Sequence, residues 1–239
     1  MSEPGRKEQE ADPVADDELE ALYPFLHGRK QDPQTLNVAL AESVRQKAQH
    51  HQHVFAAFFA EQGQAVVDTA KTVADVYRGN GRLFTMGNGG SSCDAAHVAV
   101  EFLHPVTAGR PALTAIDLTC DRTMMTAIGN DVGFDHIFAR QIIAQGRRGD
   151  GLIGISTSGN SANLIRAFLK AKEMGLRTIG LAGNTGGEMA SLGLDHCLTV
   201  DTDSIHRIQE CHVAIYHILW DLVHTLLADE RGNPDLRAG

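Results

Sequence analysis

Gly151 to Ala162 reads GLIGISTSGNSA, and the fold turns on this stretch. Its first half, Leu152 to Ile155, is an unbroken apolar run of strand length, the signature of a strand covered on both faces. Its second half, Ser156 to Ser161, is a glycine-punctuated hydroxyl cluster that predicts a loop opening a helix. Such a junction presents first-turn N–H groups and the positive end of a helix dipole. Here it adds the hydroxyls of Ser156, Thr157, Ser158 and Ser161, a set suited to a phosphate monoester. No Gly-Lys-Ser/Thr accompanies it, so it is not a nucleotide P-loop. Taken alone, the same residues also fit an ordinary Ser/Asn helix cap.

On the N-terminal side, a strand from Arg82 to Met86 runs into Gly87-Asn88-Gly89-Gly90-Ser91, and Ser92 to Leu103 reads as the helix that follows. This second glycine-rich strand-to-helix turn is a weak signal by itself. The helix it opens carries His97 and Glu101, four residues apart and therefore on one face, able to ligate a metal or share proton transfer. A surface His–Glu pair is the ordinary alternative. A strand at Ala112 to Leu118, a helix at Asp121 to Ile128, a Gly129-Asn130-Asp131 turn and an amphipathic helix at Phe134 to Gln145 lead back to the central stretch. Beyond it come a helix from Ser161 to Met174, a strand from Arg177 to Leu181, a turn at Asn184-Thr185-Gly186-Gly187 and a strand from His196 to Val200. The alternation predicts a three-layer α/β/α sandwich around a five-stranded, mainly parallel sheet, with long N- and C-terminal helices. Ligands of such sheets bind at the carboxyl ends of the strands, where both glycine-rich turns lie.

The flanks complete the organisation. Residues 1–33 are acidic and proline-interrupted and predict a disordered tail, with Leu19, Leu22, Tyr23, Phe25 and Leu26 forming one cluster able to dock. Two helices follow, Thr35 to Gln62 and Val66 to Tyr77, the first bearing His50, His51 and His53 on a face expected to be exposed. A final helix, Ser204 to Leu227, sets Gln209 and His217 eight residues apart and so roughly aligned, with His212 pointing elsewhere. Its apolar far end suits burial at a subunit boundary. Residues 34–228 thus form a single domain, and 229–239 a polar tail. A net charge of -9 over 239 residues argues against a nucleic-acid partner, which would need a basic face. Cys93, Cys120, Cys197 and Cys211 lack CxxC spacing, and nothing resembles a signal peptide or a membrane span. Buried thiols in a soluble, reducing, cytoplasmic setting are the expectation.

The motifs GNGGSSCDAAHVAVE, GND, GISTSGNSAN and RIQECH with a later His, in that order, resemble the sugar isomerase (SIS) domain family over about residues 35–227. Within it they are most similar to the phosphoheptose isomerases, which interconvert sedoheptulose 7-phosphate and D-glycero-D-manno-heptose 7-phosphate. The resemblance implies that Ser156, Thr157, Ser158 and Ser161, with Asn88 and Ser91, hold a sugar phosphate. It implies that His97, Glu101, Gln209 and His217 form the reacting constellation, a set that binds zinc in some members, and that the assembly is a homotetramer. His206 stands where some members carry an acid, and Ser91-Ser92 where some carry Ser-His. Aldose–ketose isomerisation through an enediol needs a carbon base, an acid for the oxygens and oxyanion stabilisation. Glu101 suits the base, His217 the proton partner and Gln209 a donor to sugar oxygens, while Asp131 is placed to orient a hydroxyl. The resemblance also admits a non-catalytic SIS protein acting as a tetrameric protein-binding platform, or a sugar-phosphate sensor; the complete His97, Glu101, Gln209 and His217 set favours an enzyme.

Overall fold

The computed structural model describes residues 33–231. The expectations for the acidic tail, with its Leu19 to Leu26 cluster, and for the end of the chain beyond 231 lie outside the described residues. The elements run α1 (Pro33–Arg78), β1 (Leu83–Gly87), α2 (Gly90–Leu103), β2 (Ala115–Asp117), α3 (Arg122–Asp131), α4 (Ile137–Gln145), β3 (Gly151–Ser156), α5 (Ala162–Met174), β4 (Arg177–Gly183), α6 (Gly187–Ser191), β5 (His196–Val200) and α7 (Ile205–Arg231). The five strands pair in the order β2-β1-β3-β4-β5, every pair parallel. That is the flavodoxin-like order, in which successive strands are added to one side of β1 and then, from β3 on, to the other, leaving a crevice at the carboxyl ends of β1 and β3.

Alternation along each strand splits the core in two. Leu83, Ile153, Ile155, Ile179, Leu181 and Leu198 face a layer formed by α2, α7 and the part of α1 from Val54 onward. Their neighbours Phe84, Met86, Leu152 and Ala182 face the other layer, made by α3, α4, α5 and α6. Phe84, Phe102, Phe138 and Phe168 are fully buried, each contributing about 1.5–3 kcal/mol by leaving water.

Several expected boundaries move. The two N-terminal helices are one, because α1 runs straight through Gly63, whose missing side chain faces open space. A helical glycine costs about 1 kcal/mol against alanine, and the packing of Val66, Ala70, Val73 and Ala74 outweighs it. Gly129-Asn130-Asp131 is not a turn but the last turn of α3; the chain breaks only where Gly133 takes φ 107°. Phe134 to Gln145 divides into a 3-10 turn, Phe134–His136, and α4. As an edge strand, β2 pairs over only Ala115–Asp117, and the short α6 follows the Gly186-Gly187 turn. Cys93 and Cys120 are exposed rather than buried, since one rides the outer face of α2 and the other sits in a turn; Cys211 is buried, and all four are free thiols. His51 reaches Glu210 at 2.7 Å instead of facing only solvent.

Among the described residues, 33–48 and 49–231 fall in separate compact units. In the first, the helix exposes Leu36, Val38, Leu40 and Val44. In the second, Ile205–Ala228 is long and apolar enough by composition to cross a membrane, contrary to the expectation that no such stretch exists. Its apolar side is nonetheless spent on the sheet, with Ile208, Cys211, Ile215, Leu219 and Val223 in the core.

Candidate active site

The loop after β3 departs from an ordinary cap. Ser161 occupies the N-cap position of α5 but makes no side-chain cap hydrogen bond; its Oγ lies 3.0 Å from Ser156 Oγ. The Ser156 hydroxyl also accepts from Gly159 N, and Ser158 Oγ from Asn160 N. Thr157, Ser158 and Asn160 line a cavity closed on its far side by Asn184, Thr185 and Asp203. The hairpin shape depends on Gly159, held at φ 65°, where an added Cβ would meet the Gly186 carbonyl oxygen at 1.9 Å.

The loop after β1 is tied to this one. Asn88 and Asn163 exchange two side-chain amide hydrogen bonds of 2.9 Å, joining the turn that opens α2 to the first turn of α5. Asn88 is therefore engaged as a tether between the loops. Ser91 is 3% exposed, held inside the first turn of α2. Gln209, near the start of α7, lays its amide over Gly90, where a Cβ would lie 2.3 Å from Nε2. A second cavity opens there, lined by Gly90, Asp94, His206, Gln209, Glu210 and Val213.

Farther along the α2–α7 contact, three of the expected residues converge. Glu101 Oε1 is 3.2 Å from His97 Nε2, and His217 Nε2 is 3.5 Å from the same nitrogen. The three ligand atoms lie within 4.8 Å of one another. Burial, followed by the neighbouring His97, pushes the His217 imidazole below its ordinary value, while Glu101 pulls it up; the ring is thereby favoured in its neutral, proton-accepting form. Asp131 stands apart on the exposed last turn of α3, where it accepts from the Asn130 amide. His212 is fully buried and bonds Ala182 O at 3.0 Å, away from the group as expected.

The SIS-domain family model matches residues 48–183. The phosphoheptose isomerase of Sulfurimonas denitrificans is 45% identical over 158 residues, covering 66% of this chain and 80% of its own. That of Geotalea daltonii is 42% identical over 192 residues, covering 80% of this chain and all of its own. This chain belongs to the phosphoheptose isomerases of the SIS-domain family. The solved phosphoheptose isomerase of Neisseria gonorrhoeae superposes with a TM-score of 0.74 at 37% identity, covering 78% of this chain and 99% of that one.

Around this SIS-domain site the structure adds residues that sequence spacing did not expose. Tyr216 Oη lies 2.8 Å from His97 Nδ1. Asp94, one turn before His97 on α2, hydrogen-bonds Tyr216; burial raises its carboxyl, and His97 and Tyr216 draw it back down. Trp220 Nε1 donates to the Glu101 carbonyl at 2.8 Å, pinning the helix beneath the carboxylate. Tyr216 and Trp220 are four residues apart and so share one face of α7, a regularity visible in the sequence but without a partner to give it meaning.

Proposed function

We propose that this phosphoheptose isomerase interconverts sedoheptulose 7-phosphate and D-glycero-D-manno-heptose 7-phosphate through an enediol. The observation that carries the reading is the convergence of Glu101, His97 and His217 at the contact of α2 and α7, on the same helix whose N-terminus abuts the hydroxyl loop through Asn88 and Asn163. The hydroxyls of Ser156, Thr157, Ser158 and Ser161, with Ser91 and the N-terminus of α5, hold the phosphate. Among the described residues, those lining the cavity at Thr157 and Ser158 include no lysine or arginine, so hydroxyls and helix N–H groups do the binding. Anchoring the remote phosphate fixes the open-chain sugar so that C1 and C2 meet the acid–base groups.

Glu101 removes the proton from one carbon and returns it to the other. His217, held neutral, shuttles protons at the adjacent oxygens, and the Gln209 amide donates to sugar oxygens at the Gly90 end.

Zinc fits the donor set. Two imidazole nitrogens and a carboxylate oxygen are the ligand types zinc takes, and here the three lie within 4.8 Å of one another. His97, Glu101 and His217 would hold the ion; Gln209, the fourth residue of the expected set, has its amide over Gly90 at the start of α2. When bound, it would polarise the sugar carbonyl and stabilise oxyanion charge.

Self-association as a homotetramer is supported by the exposed Leu36, Leu40 and Val44, and a reducing, cytoplasmic setting by four free thiols. An NMR time course of sedoheptulose 7-phosphate with zinc-supplemented and chelated protein tests the function. Formation of the aldose with solvent deuterium entering C1 or C2 is expected, with chelation lowering the rate. Tight ester binding without turnover would point instead to a sensor.

A further inference from the structure

Tyr216 is 2% exposed, and its ring meets that of the half-exposed His97 edge-on at 5.2 Å. Its hydroxyl has two partners, His97 Nδ1 at 2.8 Å and the Asp94 side chain. An ionised carboxylate can only accept hydrogen bonds. In its carboxylate form Asp94 takes the phenolic proton, which leaves the lone pairs of Tyr216 Oη facing Nδ1. Nδ1 must then be the donor, and in a neutral imidazole that leaves Nε2 bare. Nε2 is the atom that faces Glu101 Oε1 and His217 Nε2.

Within the isomerase reading above, we infer that Tyr216, backed by Asp94, is a positioning residue that locks neutral His97 with its proton on Nδ1 and its Nε2 lone pair turned toward Glu101 and His217. The consequence is a nitrogen ready to receive a cation or a proton. Without the hydroxyl, His97 is free to place its proton on Nε2 and donate it to Glu101, which would occupy both groups with each other. Partners of this kind, on the far nitrogen of a ligating histidine, fix its tautomer and strengthen its ligation.

The test compares the full-length wild type with Tyr216→Phe, which keeps the buried ring and removes only the hydroxyl. In metal-free protein at pH 8, long-range proton–nitrogen NMR of the imidazoles, assigned by the loss of one ring in His97→Gln, is expected to show His97 protonated on Nδ1 in the wild type. That preference is expected to be lost in Tyr216→Phe. Zinc affinity, measured by competition with a chromophoric chelator, should weaken about 10- to 100-fold, and kcat should fall with KM nearly unchanged. If Tyr216→Phe fails to fold, Asp94→Leu removes the acceptor at the other end, frees the phenol to donate to Nδ1, and is expected to give the same loss of tautomer preference. A wild-type His97 protonated on Nε2, or a tautomer and zinc affinity unchanged in Tyr216→Phe, would overturn the assignment. If the wild type bound no zinc yet showed the Nδ1 proton, lost in the variant, the role of Tyr216 would stand and the zinc reading would fall.

Discussion

At the scale of single residues, Glu101 and the hydroxyls of the β3–α5 loop have separable duties. Glu101→Gln keeps shape and hydrogen bonding but removes the base, so kcat is expected to fall by about 10²-fold or more while the phosphate ester still binds. Ser158→Ala with Ser161→Ala should raise KM first, and steady-state kinetics on both variants distinguish the two effects. His212 has a different kind of duty. Burial pushes its imidazole down to about 4, against the hydrogen bond to Ala182 that favours the charged form. Between the ordinary 6.5 and that value, the unfolded chain holds a proton that the folded one refuses. Stability is therefore full above about pH 6.5 and declines as the pH falls toward 4, by on the order of 3 kcal/mol. Urea unfolding across that range should show the decline, and His212→Gln should flatten it. The histidines and the acid were legible because spacing alone aligns them: His97 with Glu101 one turn apart, Gln209 with His217 two turns apart. Tyr216 and Asp94 were not, since Tyr216 projects about 100° around α7 from His217 and gains meaning only when α7 lies against α2.

At the scale of elements, β3, β5 and α5 could be read nearly residue for residue, because an apolar run ending in glycine, serine and asparagine leaves little choice. The first helix could not. A glycine between two glutamines resembles a break, and only burial of the residues after it keeps α1 continuous. The Gly-Asn-Asp segment misled in the opposite way: its turn residues finish α3, and the positive φ falls later, on Gly133. The hydroxyl loop is the element most sensitive to backbone change. Gly159→Ala must adopt φ 65° and would set a methyl 1.9 Å from the Gly186 carbonyl oxygen. A loss of about 1–3 kcal/mol is expected from the strain, together with weaker ester binding. Thermal unfolding and an isothermal titration with the substrate measure the two.

At the scale of the whole molecule, the parallel sheet, its covering by helices on both faces and the binding end of its strands followed from the alternation of strands with helices, whereas the strand order and tether contacts such as Asn88 with Asn163 depended on how distant segments meet. Self-association has its own test. Val44→Glu puts a charge into the exposed apolar stretch of α1, and light scattering after gel filtration should report smaller particles than the wild type gives. One division of labour reaches further. The proton-handling groups ride on two rigid helices, while the hydroxyls ride on a loop clipped to them by a pair of amides. The two can therefore be altered separately: a substitution in the loop changes how tightly the phosphate end is gripped and leaves the proton-transfer groups on their helices where they were.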